Sequence, residues 1–311
     1  MTQTPYVPGQ STDTESGPEL AQSLIYDVTQ EQIAGTAESI SKIRPAYADL
    51  IEFYSRVFAA QAATRAGLNP APIIIDPQTL QLKLDNQMPL ISPEEFRIDT
   101  EACGKLLDEI CRLALAHAPK LAQAGETLAG CLEEGSIDLE ALFRDLLDAG
   151  DISKTAEACG ITVEALAFFG FSAMAPSVQA GAAQLAVYLK DAPKSQTHWC
   201  PICGNQPDLS FLDEAGKRQV CCSLCNHIWQ TRRMGCLFCD SATPEDQQYF
   251  FTKEEPEFRV YCCDSCKRYI KTIDTRQMGR RFFPKLEQVT TLHLDIQARE
   301  KGYRPPAEVS H

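Results

Sequence analysis

Eight cysteines in four Cys-x-x-Cys pairs could do the most specific chemistry in this sequence: Cys200/Cys203, Cys222/Cys225, Cys236/Cys239 and Cys263/Cys266. A two-residue gap lets one tight turn aim two sulfurs at a single ion, and two such turns complete a tetrahedron of thiolates. Eighteen residues separate the first two pairs and 23 the last two, which leaves room for a β-hairpin between partner turns. Chain order therefore predicts a first metal site from the first two pairs and a second from the last two. Spacing restricts ligand pairs without fixing partners, so crossed pairing is also allowed. A redox dithiol would need one such motif at a helix start in a βαβ setting, and that setting is missing.

Cys221 and Cys262 each precede a proposed ligand and offer an alternative three-residue gap, but the uniform two-residue gaps favour Cys222 and Cys263. The two spare thiols read as strand residues beside the turn. Cys103, Cys111, Cys131 and Cys159 are scattered on apolar helix faces and read as small core residues. His198 and His227 flank ligands without being needed to complete either tetrahedron. Iron and zinc both suit a four-sulfur set. Closed four-sulfur sites have no open position for substrate, which disfavours Lewis-acid catalysis. Metal ligation would take the C-terminal part from net +1 to about −3, so Lys217, Arg218, Arg232, Arg233, Lys267, Arg268 and Lys271 read as counter-charges to anionic centres. An ion in each site would also hold a small module together, supplying on the order of 10 kcal/mol.

The surroundings support thiols kept for metal. The 311 residues carry a formal net charge of −13 and 44% hydrophobic residues, the composition of a folded, two-domain chain. Residues 1–195 hold 13 basic and 27 acidic side chains, while residues 196–311 hold 16 and 15. The acidic first part should repel nucleic acid and anionic lipid. The polar, acidic opening residues do not read as a signal peptide, so reduced cysteines in the cytoplasm are expected rather than a disulfide framework. Residues 165–189 lack charge and approach the length of a membrane span, but Ser172, Pro176, Ser177, Gln179 and Gln184 interrupt them. They are expected as two buried helices meeting near Pro176, without stable membrane insertion.

The elements that must position the cysteines follow from periodicity. Residues 1–20 read as a mobile tail and 21–192 as an all-α domain. Within it, Pro45 breaks a helical pattern over 30–65, residues 69–100 read as an extended connection, and helices are expected near 100–118, 120–133, 138–149, 153–159 and 162–190. Asp138 and Ser153 are the expected N-caps, with Gly150 and Gly160 as stops. The boundary falls at 191–195. Beyond it, a β-rich, zinc-ribbon-like module over 196–275, carrying two four-cysteine metal sites in tandem, has strands near 207–212, 218–221, 249–252, 258–261 and 269–273. A final helix is expected over 284–302.

The run His198-Trp199-Cys200-Pro201-Ile202-Cys203-Gly204-Asn205-Gln206-Pro207 resembles the FdhE family of formate dehydrogenase accessory, or formation, proteins. So do Cys222 to Cys225 with Trp229, Gly235-Cys236-Leu237-Phe238-Cys239, Cys263 to Cys266, Tyr269 to Asp274, Leu294-Asp295 and Gly302-Tyr303-Arg304. A looser likeness runs through Arg44-Pro45-Ala46-Tyr47, Phe53-Tyr54, Gln61, Pro89-Leu90-Ile91 and Ala175-Pro176-Ser177. The resemblance implies a cytoplasmic assembly factor that interacts with the catalytic subunit of a respiratory formate dehydrogenase. It also implies a rubredoxin-like module associated with iron. The chain has no Gly-rich phosphate loop, nucleophile elbow or acid/base dyad, which agrees with a non-enzyme. A zinc-ribbon regulator of nucleic acid and a rubredoxin-like electron carrier are the alternatives.

Overall fold

The computed structural model describes residues 28–190 and 197–306. The expected tail at 1–20 and the boundary at 191–195 lie outside them. Among the described residues eight α-helices come first: α1 (Gln30–Ile43), α2 (Ala48–Gly67), α3 (Pro77–Asp85), α4 (Thr100–His117), α5 (Pro119–Glu133), α6 (Leu139–Leu147), α7 (Ser153–Ala158) and α8 (Val163–Ala186). Six strands follow: β1 (Pro207–Leu212), β2 (Arg218–Cys222), β3 (Ile228–Gln230), β4 (Gln247–Phe251), β5 (Phe258–Cys263) and β6 (Tyr269–Asp274). The fold closes with α9 (Pro284–Val289) and α10 (Leu292–Glu300). The expected all-α first part and β-rich second part are both present.

Pro45 ends α1 as its missing N–H and ring demand, leaving a single 3₁₀ turn before α2. The helices pack around α8, with α4 between α5, α2 and α8. A Cβ at Gly125 would lie 2.9 Å from the backbone oxygen of Cys111, so α5 rests on α4 at glycine distance. Phe53, Leu106, Ile110, Phe143, Phe169 and Met174 form the centre of this core. Each such side chain contributes about 1.5–3 kcal/mol by leaving water.

The expectation of two helices meeting at Pro176 is corrected: α8 runs unbroken through it. Proline cannot donate to the carbonyl four residues back, and Gln61 Nε2 takes over that role, donating to Ser172 O at 2.7 Å. The other polar residues of the stretch are equally employed. Gln184 accepts from Ile73 N–H at 3.0 Å and donates to Pro70 O, Gln179 accepts from Arg65, and Ser177 Oγ accepts from Asp99 N–H at 3.2 Å. By length and apolarity α8 with its 3₁₀ extension could cross a membrane, yet most of it is buried inside the fold as the central helix.

Residues 69–100 are not wholly extended, because α3 forms within them. Asp76 accepts from the N–H groups of Gln78 and Thr79, and Pro77 takes the first helical position. The final helix is two: Thr290 Oγ1 and Thr291 Oγ1 donate to the carbonyls of Leu286 and Glu287, each at 2.8 Å, and the axis breaks between α9 and α10. Asp138 caps α6 as expected, whereas Ile152 rather than Ser153 stands at the N-cap of α7. After α6 it is Ala149 that takes the left-handed conformation, and Gly160 takes it after α7.

The strands form one sheet in the order β3-β2-β1-β6-β5-β4. All neighbours are antiparallel except β1 and β6, which run parallel from Leu209↔Lys271 to Leu212↔Asp274. β3 was missed in the sequence because three residues are too short to show alternation.

Arg44, at the end of α1, ties the helices to the second part. Its guanidinium is 4% exposed, 2.6 Å from Glu255 and 4.2 Å above the Phe258 ring, and it donates to Thr290 Oγ1 at 3.1 Å. Glu287, wholly buried, faces both Arg44 and Arg280. Replacing Arg44 by alanine strands part of this negative charge, so Arg44→Ala should cost roughly 3 kcal/mol, read as a lowered midpoint in urea unfolding; an unchanged midpoint would count against the clamp.

Hydrogen bonding from the His293 ring holds the Glu255 carboxyl down at about 2 from its ordinary 4.5; burial opposes this, and Arg44 adds to the lowering. A depressed acid stabilises the fold above its unfolded value and loses that contribution as pH falls from about 4.5 to about 2. Acid titration of unfolding should show this loss, and it should be blunted in Glu255→Gln.

Candidate metal centres

All four Cys-x-x-Cys segments adopt one turn. The first cysteine's N–H donates to the carbonyl five residues on: Cys200 to Asn205, Cys222 to His227, Cys236 to Ser241 and Cys263 to Arg268, all at 2.8–2.9 Å. The residue four on, Gly204, Asn226, Asp240 or Lys267, takes positive φ between 56° and 76°. Glycine, Asn and Asp tolerate that conformation, which is why they follow three of the turns. The left-handed residue folds the chain back so that both sulfurs of a turn point the same way.

The first turn precedes β1 and the second joins β2 to β3. The third precedes β4 and the fourth joins β5 to β6. Each hairpin thereby brings its two turns together, grouping Cys200, Cys203, Cys222 and Cys225, and separately Cys236, Cys239, Cys263 and Cys266, with the sulfurs of each group all within 4.8 Å of one another. The grouping is sequential rather than crossed. Contacts of 3.6 Å (Cys200–Cys225), 3.5 Å (Cys203–Cys222), 3.6 Å (Cys236–Cys266) and 3.7 Å (Cys239–Cys263) match the edge of about 3.8 Å that a tetrahedron with 2.3 Å metal–sulfur bonds requires. The eight residues fit two thiophilic ions, and each group could hold one. Among the described residues no His, Asp or Glu joins either group.

Electrostatics point the same way. Burial drives the Cys200 and Cys225 thiols well above their ordinary value, hydrogen bonds from its neighbours draw Cys203 well below it, and a cation would favour the ionised form of all of them. Phe238 N–H donates to Cys236 Sγ at 3.3 Å, a contact suited to a thiolate. Cys221 and Cys262 are buried strand residues on the opposite face, packed with Leu209, Val260 and Tyr269. Burial pushes Cys262 up to about 12, that of a neutral thiol. Cys103, Cys111 and Cys159 are buried core residues, and Cys131 is partly exposed.

Several of the expected counter-charges also have partners of their own, although Arg218 interacts electrostatically with Cys236. Lys271 pairs with Asp295 at 2.6 Å, Lys267 with Asp264 at 2.6 Å, and Arg218 donates to Ser210. The Arg232 side chain donates to a ligand residue's backbone, at Cys236 O. His198 lies 3.3 Å from Asp240. His227 is buried and stacked on Trp229, and burial lowers it to about 4, leaving it neutral at ordinary pH. Sequence reasoning missed the attachment of the first turn to the helices: Leu90 N–H donates to Pro201 O at 3.0 Å and Ile91 N–H to Ile202 O at 2.9 Å. An open cleft of about 1040 Å³ lies beside the second turn, lined by Arg65, Phe171, Gln179, Ser223, Leu224 and Lys285 among others.

Two ions per chain are expected by elemental analysis of reduced protein. Cys200→Ser with Cys203→Ser should remove one and leave the other, as should the Cys236/Cys239 pair. Loss of both ions from either double variant would contradict the sequential grouping.

No family model matches the chain. It is 24% identical over 259 residues to the Protein FdhE homolog of Aquifex aeolicus, covering 82% of this chain and 85% of that protein. The homologs of Shewanella oneidensis and Actinobacillus pleuropneumoniae are 31% and 29% identical over 118 and 111 residues, covering 35% of this chain and 36% of each relative. The crystal structure of the FdhE protein from Pseudomonas aeruginosa shares the fold, with a TM-score of 0.61 at 20% identity over 89% of this chain and 94% of that one. The likeness to FdhE proteins first seen in the cysteine motifs therefore extends in sequence through most of the chain and in fold through nearly all of it.

Proposed function

We propose that this chain is an accessory factor for a formate dehydrogenase, acting in the cytoplasm on the catalytic subunit during its maturation rather than oxidising formate itself. The observation that carries this reading is the pair of closed four-sulfur groups on a fold shared with an FdhE protein. A metal with four protein sulfurs leaves no position for substrate, so the centres suit a structural or redox-sensing role better than Lewis-acid catalysis. Function then rests on surfaces, and the helical part offers an acidic one next to the metal module. The strong excess of acid in the first 195 residues also argues against a nucleic-acid regulator.

Deleting the gene should leave the catalytic subunit synthesised but poorly active, measured as formate-dependent dye reduction under conditions that induce the enzyme. Cys200→Ser and Cys236→Ser should weaken capture of that subunit from native extract. Wild-type dye reduction in the deletion strain would overturn the assignment and favour an electron carrier.

A further inference from the structure

The two sulfur groups share one turn geometry but not one environment. Every sulfur-bearing residue of the first group is at most 2% exposed, and all four belong to the large apolar cluster that includes α4 and α8. Hydrogen bonds from Leu90 and Ile91 close its first turn against the helices. In the second group Cys239 is exposed and Cys266 partly so, and none of the four cysteines joins that cluster. Its third turn starts buried, with Cys236 4% exposed and Leu237 in the large cluster, and comes to the surface only at Cys239, beside which Arg232 pairs with Asp240.

Resting on the reading that each group holds a divalent ion, we propose that the second centre is an exchangeable, oxidant-sensitive metal site that opens at Cys239, while the first is a fixed, fold-holding one. An incoming ligand or electrophile must touch a metal-bound sulfur or the ion before exchange can begin. The buried first group denies that approach, and Cys239 permits it. The oxidant class that fits is a hydroperoxide. The sulfurs of Cys239 and Cys263, 3.7 Å apart, give up two electrons and form an S–S bond. The O–O bond breaks, its oxygens leave as water and an alcohol (two waters from hydrogen peroxide) after taking up two protons, and the divalent ion passes to solvent because two sulfurs no longer hold it. Thiol reductants reverse the step and restore the site. The change stays local, because the first group and the helical core keep their contacts.

The test uses the full chain loaded with two zinc ions, exposed in turn to hydrogen peroxide and to N-ethylmaleimide while a chromogenic chelator reports released zinc and peptide mass mapping locates modified thiols. One equivalent should leave at least about tenfold faster than the other, with Cys239 modified first and Cys200, Cys203, Cys222 and Cys225 untouched until denaturant is added. Cys239→Ser should abolish the fast phase while keeping one ion and the native circular dichroism. Cys131→Ser, which removes a partly exposed thiol outside both groups, should leave the fast phase unchanged. Release of both ions in a single phase, or modification of the first group alongside Cys239, overturns the proposal while leaving two-ion binding intact. A chain that cannot be loaded with two ions overturns both.

Discussion

Four thiolates within 4.8 Å of one another repel strongly, and in the first group the fold excludes the solvent that would screen them. Either protons stay on the sulfurs, as burial favours for Cys200 and Cys225, or a cation replaces them. The geometry suits a cation, since contacts of 3.5–3.6 Å fit the edges of a metal tetrahedron. Much of the molecule depends on that choice. The first turn carries the backbone acceptors for Leu90 and Ile91, so the connection between α3 and α4 is fixed to it. Cys200, Cys222 and Trp229 lie in the same apolar cluster as Phe169 and Met174 of α8. Metal binding and the packing of the helices are thus one cooperative problem.

The metal module is a repeated unit: a cysteine turn, two antiparallel strands, a second cysteine turn and a third strand. Turn, β1, β2, turn, β3 is followed by turn, β4, β5, turn, β6. Within the sheet the two copies join where β1 lies parallel to β6. One copy has all four cysteines inside the large apolar cluster, while the other exposes Cys239 and part of Cys266, so identical local geometry yields different access. Position in the assembly, not ligand type, distinguishes the centres.

The cysteine pattern was legible because its chemistry is local. Two-residue gaps and the left-handed residue four positions after each leading cysteine are written in consecutive positions, as in Cys200 to Gly204. The fusion of two hairpins into one sheet was not legible, because the pairing of Leu209 with Lys271 joins residues far apart in sequence. Pro176 misled for a related reason: the carbonyl it leaves free is satisfied by Gln61, from a helix more than a hundred residues earlier. By contrast α3 was overlooked although Asp76-Pro77 is a local start signal, outweighed by the apolar, proline-rich residues around it. The break at Thr290 and Thr291 was hidden too, since the apolar spacing continues across it while the hydroxyls turn back to the carbonyls behind.

The remaining question is what a closed metal module contributes when its ions have no free coordination position. The contacts of Arg44 offer an answer in mechanical terms. Its guanidinium joins the end of α1 to Glu255 between β4 and β5 and to Thr290 after α9, while Tyr47 accepts from His293 N–H at 3.0 Å. The first helices are therefore held to the β4–β6 side by charge and by the packing of Ile33, Ile40 and Ile51 on Phe283 and Leu286, while the connection after α3 is held by the first group's backbone bonds. Together these attachments hold the helical face against the β-rich part at two separate places. A partner docking across both parts would find them already ordered and would lose less conformational entropy on binding than with two loosely joined parts. An ion held in each group would act on such docking through stiffness, which needs four sulfurs and no open site.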